Sequence, residues 1–174
     1  MNTGQLLEDG FGRVVESVAR TLDGLDEAQL THRPTTDANS IAWLVWHLTR
    51  VQDDHLADAF DVEQVYTTQG FAQQLAECFP HDPSDTGYGH DSDQVAAVRA
   101  PAELLLEYLR AVHLQTVALV ADVTDADLDR VVDERWDPPV TLGVRLVSVL
   151  DDDLEHAGQA AYLRGILPQK AGIS

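Results

Sequence analysis

Apolar residues recur every three or four positions in four long stretches of this chain, the spacing of helices with one buried face. The first stretch carries Leu6, Leu7, Phe11, Val14, Val15, Val18 and Leu22, with Thr3 as its expected cap and Asp23-Gly24 as its end. Gly10 weakens it by about 1 kcal/mol relative to alanine. The second runs from a cap at Asn39 or Ser40 through Ile41, Leu44, Val45, Leu48, Val51 and Leu56 to about Phe60. The third starts at Pro101, a residue suited to a first turn, and carries Leu104, Leu105, Tyr108, Leu109, Val112, Leu119 and Val120 to about Ala121. The fourth begins near Val140 or Thr141, has its apolar face at Leu142, Leu146, Val149, Leu150 and Leu154, and continues to Leu163. Gly165 then offers a left-handed stop.

Between these stretches the pattern breaks. Leu25 to Leu30 and Thr124 to Leu128 each read as a short turn, and the two halves of the chain share this order of long helix, turn, helix. Arg135 to Pro139 reads as extended, because proline disfavours helix for itself and its predecessor. From Asp61 to Ser92 no helical period survives, and Phe79 to His90 is dense in Gly, Pro and Asp. A long loop in a compact domain usually has a role, and Phe79 and Tyr88 suggest that this one folds back on the domain. A short helix is expected over Asp93 to Arg99. The fold class that follows is all-α, a four-helix bundle in a single domain over 1–174, with the long loop between the second and third helices forming a crossover.

Composition narrows the function more than the fold. The formal charge is −19 and the sequence pI about 4.4, with acidic residues scattered along the chain. Such a balance argues against nucleic acid and anionic membrane surfaces as partners. One cysteine, Cys78, rules out an internal disulfide; it sits in the middle loop without a basic neighbour and is not expected to be a nucleophile. No signal segment or long apolar run is evident, so a cytoplasmic location is the expectation. Arginine is used in place of lysine nearly throughout, a bias that fits a GC-rich bacterial genome.

Candidate chemistry lies near the end of the chain. In Leu150-Asp151-Asp152-Asp153-Leu154-Glu155-His156, Asp152 and His156 are one helical turn apart on one face, where a carboxylate and an imidazole can hold one metal ion. Three consecutive aspartates cannot all face solvent at 100° per residue, and a buried carboxylate needs a partner or a metal. The ordinary alternative is a bond from Asp152 to Arg145 or Arg50. A third ligand must come from another helix. His47, on a mostly apolar face with Trp43, Leu44 and Val51, is the candidate, and His55 its rival two turns on. Two histidines and a carboxylate leave coordination positions open, the mark of a catalytic site; zinc suits them best, and nickel, iron or manganese would also bind. His113 has no acidic neighbour on its helix, and His32, His81 and His90 read as exposed, with His90 placed to reach over the site if the loop is a lid.

Three segments, Asn39-Ser40-Ile41-Ala42-Trp43-Leu44-Val45-Trp46-His47-Leu48, Gly87-Tyr88-Gly89-His90 and His156-Ala157-Gly158-Gln159, resemble the DinB-like (YfiT-like) metalloprotein superfamily. Within it the chain resembles the short actinobacterial mycothiol-dependent S-transferases and is similar to the metal-binding domain of mycothiol-dependent maleylpyruvate isomerase. The resemblance runs from the first helix to Gly165. It implies a metal held by one histidine of the second helix, His47, and an i, i+4 pair on the fourth, where this chain has Asp152 in place of a frequent histidine, followed by His156. Asp153 is the alternative if the register differs. The resemblance also implies a low-molecular-weight thiol as cosubstrate and a small electrophile as its target. A thiol that coordinates zinc is deprotonated, and attack of the thiolate on an electrophilic carbon is S-transfer. Arg145 is a candidate to hold the cosubstrate, and Trp136, Tyr88 and His90 to line its pocket. Two other readings stand beside this one: a metal-dependent hydrolase or isomerase using activated water, and a non-catalytic binding protein on the same framework. Association into a homodimer is compatible with the pattern, although no seam stands out.

Overall fold

The computed structural model describes residues 1–167; the last residues of the single domain expected over 1–174 lie outside the described ones. Four long helices dominate: α1 (Thr3–Leu22), α2 (Ile41–Phe60), α3 (Ala102–Val120) and α4 (Leu142–Ile166). They form a ring in which α2 packs on α3 and α4, and α1 packs on the same two helices. A small antiparallel pair, β1 (Val131–Asp133) and β2 (Val140–Thr141), leads into α4, with Val131 opposite Thr141 and Asp133 opposite Val140. The extended stretch expected at Arg135–Pro139 is the tip of that hairpin.

The caps follow from side-chain chemistry. Asn2, not Thr3, caps α1: its side chain accepts from the Gln5 N–H while the Gln5 side chain accepts from the Asn2 N–H. Ser40 caps α2 and Thr141 caps α4, each accepting from the backbone N–H three residues on. Gly165 does not stop α4, which continues to Ile166. Nor is the segment between α2 and α3 structureless. It contains helical turns at Val65–Thr68 and Phe71–Ala76 and, close to the expected position, at Ser92–Ala97. The first two show no periodicity in the sequence because each is too short to have one.

That crossing segment explains the character of α2. Every residue from Ile41 to Asp53 is buried, including Thr49, Arg50, Gln52 and Asp53. A helix buried all round needs cover on both sides. The bundle supplies part of that cover through Tyr108, Leu109, Ala157 and Ala160, and the crossing segment supplies the rest through Val65, Tyr66, Phe71, Leu75 and Phe79, all in one core with Leu44 and Leu48 of α2. Phe79 folds back as expected, whereas Tyr88 stands 93% exposed. Polar residues on α2 are thereby drawn into the interior, His47 among them.

A buried network ties the crossing segment down. The Asp53 carboxylate accepts from the backbone N–H groups of Val65 and Tyr66 and from the Tyr108 hydroxyl, at 2.8–2.9 Å. Arg50 donates to Tyr108 Oη, Gln64 Oε1 and the carbonyls of Asp85 and Pro83, and its guanidinium lies 4.0 Å from the centre of the Tyr66 ring. One arginine thus fixes both ends of the segment that reaches the site.

Candidate metal centre

His47, Asp152 and His156 converge between α2 and α4. Each offers one ligand atom, and these atoms all lie within 4.8 Å of one another. His156 Nε2 is 3.6 Å from Asp152 Oδ1, and the His47 and His156 rings meet edge to face at 4.9 Å. Ligand atoms about 2.0–2.1 Å from a zinc ion sit roughly 3.3 Å apart, so this set needs only a small contraction to close on an ion.

Hydrogen bonds select which nitrogens are free. His47 Nδ1 faces the carbonyl of Thr86, which can only accept, so Nδ1 carries the proton and Nε2 keeps its lone pair. His156 Nδ1 likewise faces Gln159 Oε1 at 2.9 Å, one turn on in α4, leaving its Nε2 free. A ligand histidine is normally oriented in this way by a bond from its other nitrogen. Asp152 supplies the complement: its Oδ2 is buried without a hydrogen-bond partner, a costly state for a carboxylate that a cation relieves. The donor set and its orphaned oxygen fit a divalent ion. Burial pushes the His47 imidazole below its ordinary pKa despite the opposing Thr86 carbonyl and Asp152, which favours the neutral, ligating form.

The other candidates are placed elsewhere. Asp153 is fully buried on the core face of α4, away from this cluster, and neither oxygen has a partner; burial, with Asp152 adjacent, pushes its carboxyl well above the usual range. His55 pairs with Arg145, whose Nη1 lies 3.2 Å from His55 Nδ1. Arg145 also binds Asp133 at 3.0 Å and does not bond Asp152; Arg50 is engaged with Asp53 and the crossing segment. Both expected ordinary partners of Asp152 are therefore committed elsewhere. Trp136, on the hairpin, is 66% exposed, and Cys78 is half-buried, its thiol raised by burial and by Glu77.

None of the three histidines read as exposed is so: His32 is half-buried. His81 is half-buried, bonded to the Tyr66 hydroxyl and the Phe79 carbonyl. The His90 side chain is 7% exposed, stacked on Trp46 and bonded to Asp85 and Trp43. Sequence reasoning also passed over Thr86, Asp85 and Gln159, which act through a backbone carbonyl or a neighbouring side chain and leave no spacing signal.

Gly87 allows the loop to reach His47. Its φ is +91°, and a Cβ there would lie 2.9 Å from His47 Nδ1 and from Trp46 Cζ3 and 3.2 Å from Trp43 Cζ2. Gly87→Ala is expected to destabilise the fold by about 1–3 kcal/mol and to weaken metal binding by displacing Thr86 from His47. Chemical denaturation and a chelator competition check the two effects.

The family described as mycothiol-S-transferase matches residues 6–169. A solved structure described as the conserved protein of locus from Enterococcus faecalis is similar, with TM-score 0.85 and 31% identity over 94% of this chain and 96% of that one. No curated protein matches the chain.

Proposed function

Because the chain belongs to the mycothiol-S-transferase family, we propose that it is a divalent-metal-dependent thiol S-transferase with the ion held by His47, Asp152 and His156. The observation that carries this reading is that His47, Asp152 and His156 each bring a ligand atom within 4.8 Å of the other two, while both imidazoles are bonded through Nδ1 and the Asp152 carboxylate keeps a buried oxygen without a partner. Zinc suits that donor set best, with nickel, iron and manganese as the other first-row choices. A divalent ion there supplies a thiol deprotonated at neutral pH, ready to attack an electrophilic carbon.

The chain's own residues do the positioning. His47 is locked by Thr86 and by the Trp43 ring stacked on it at 4.5 Å, so its lone pair holds one direction. Asp152 brings a negative charge that offsets part of the ion's. Arg145 lies seven residues before Asp152, on the same side of α4, and its buried Nε has no partner. We assign it to the polar body of the thiol cosubstrate. Trp136 and Tyr88 offer exposed aromatic surface that a bound electrophile would cover. No helix among the described residues is long and apolar enough to cross a membrane.

The test is conjugation of a small thiol to an alkylating probe such as monobromobimane, with zinc-loaded and chelator-stripped protein. Mycothiol is expected to support turnover well above background only with metal present. Thiol-independent hydrolysis or isomerisation would instead favour the reading in which activated water is the nucleophile. Metal binding without turnover of any probe would favour the non-catalytic reading.

A further inference from the structure

We propose that Asp85 and His90 form a hydrogen-bond relay, its donors converging on the Asp85 carboxylate, that holds the ligand histidine His47 in place, and that they are positioning residues for the metal. The proposal rests on the reading of His47, Asp152 and His156 as metal ligands. Trp43 Nε1–H, which can only donate, lies 3.0 Å from His90 Nδ1. His90 Nδ1 must therefore accept, which places the ring proton on Nε2. That atom is 2.6 Å from Asp85 Oδ2, so His90 donates to the carboxylate. The other oxygen, Asp85 Oδ1, accepts from the Gly87 N–H at 2.8 Å.

Both ends of the relay bear on His47. At one end is Trp43, whose ring is stacked on the His47 imidazole at 17° between planes. At the other is the Asp85–Gly87 turn, which carries the Thr86 carbonyl bonded to His47 Nδ1. The ring of His47 is thus held on its face and at its far nitrogen by groups that share His90 and Asp85. Trp46, stacked on His90 at 5.6 Å, fixes the relay from the third side. The support of His47 thus extends one residue beyond Thr86, to Asp85 and His90, and has a polarity.

That polarity makes a sharp test. In Asp85→Asn the new amide must place its oxygen toward one donor and its NH2 toward the other, so one of the two bonds becomes donor against donor. His90→Ala removes the relay altogether. His90→Gln keeps an acceptor and a donor in one planar group, so it preserves the direction of the relay.

The experiment is zinc affinity by competition with a chromophoric chelator on folded protein, with the visible spectrum of the cobalt(II)-loaded forms and the thermal melt of the metal-free forms. Asp85→Asn and His90→Ala are expected to bind zinc about 10–100-fold more weakly than wild type and to alter the cobalt spectrum. His90→Gln should stay within about threefold of wild type, a rescue scaled against that same loss. A purely structural role would instead lower the melting temperatures and leave the affinity of the folded protein unchanged. Wild-type affinity and spectrum in Asp85→Asn and His90→Ala would overturn the relay while leaving the metal site intact. No zinc or cobalt binding by wild type would overturn both.

Discussion

Alanine at His156 is expected to strip the protein of tightly held metal while leaving the fold intact. The side chain is only partly buried and its one hydrogen bond is to Gln159 on its own helix, so the bundle loses little. The metal loses one of three protein ligands, and its affinity should fall more than about 100-fold, beyond the effect of losing a supporting contact. His47→Ala should lose metal equally, but at a cost to the fold, because it leaves the Thr86 carbonyl without its donor and opens a hole beneath Trp43. Asp152→Ala makes the more telling variant. It removes a buried oxygen that has no partner in the metal-free protein. The variant should therefore lose metal and yet melt slightly higher than metal-free wild type. Elemental analysis and scanning calorimetry on the three variants measure both effects; stoichiometric metal in His156→Ala would refute the assignment.

Arg50→Met is expected to be the most destabilising single change in the molecule. Arg50 is wholly buried, and its removal leaves the Asp53 carboxylate, 3.8 Å from Nη1, without its buried counter-charge. Burial already pushes the Asp53 carboxyl up, held back by bonds from Tyr108, Tyr66 and Val65. Breaking a buried pair from one side costs about 3–5 kcal/mol. The same change frees the Asp85 and Pro83 carbonyls, and with them the turn that delivers Thr86 to His47. Loss of stability and weaker metal binding should therefore appear together in this variant. A urea midpoint within the range of ordinary surface substitutions, about ±0.5 kcal/mol, would show that the network contributes little.

How far the sequence carried can be judged from single residues. The four helices were legible because Phe11 and Val14, Leu44 and Leu48, Leu105 and Leu109, and Leu142 and Leu146 recur at helical spacing and because Ser40 and Thr141 have the chemistry of caps. Asp152 and His156 were legible as a pair since four residues make one turn. What escaped was whatever depends on chain segments distant in sequence. Arg50 and Asp53 look like ordinary surface charges one turn apart until the crossing segment buries them. His90 sits among Gly, Asp and Pro and reads as exposed, yet Trp43 and Asp85, 47 and 5 residues away, enclose it. Thr86 contributes a backbone carbonyl, which every residue has, so no composition could mark it. Gly87 was noticed as part of a motif, but its reason, a Cβ that would strike His47 and Trp46, is visible only in three dimensions.

His47, Asp152 and His156 are proposed to hold an ion on which a thiol is activated. X-ray absorption at the zinc edge, on loaded protein before and after addition of the thiol, tests this most directly. Loaded protein is expected to show a nitrogen and oxygen shell at about 2.0–2.1 Å alone, with one sulfur at about 2.3 Å appearing when the thiol is added. A spectrum unchanged by thiol, or a sulfur ligand already present without it, would show that the ion is not held and used in this way.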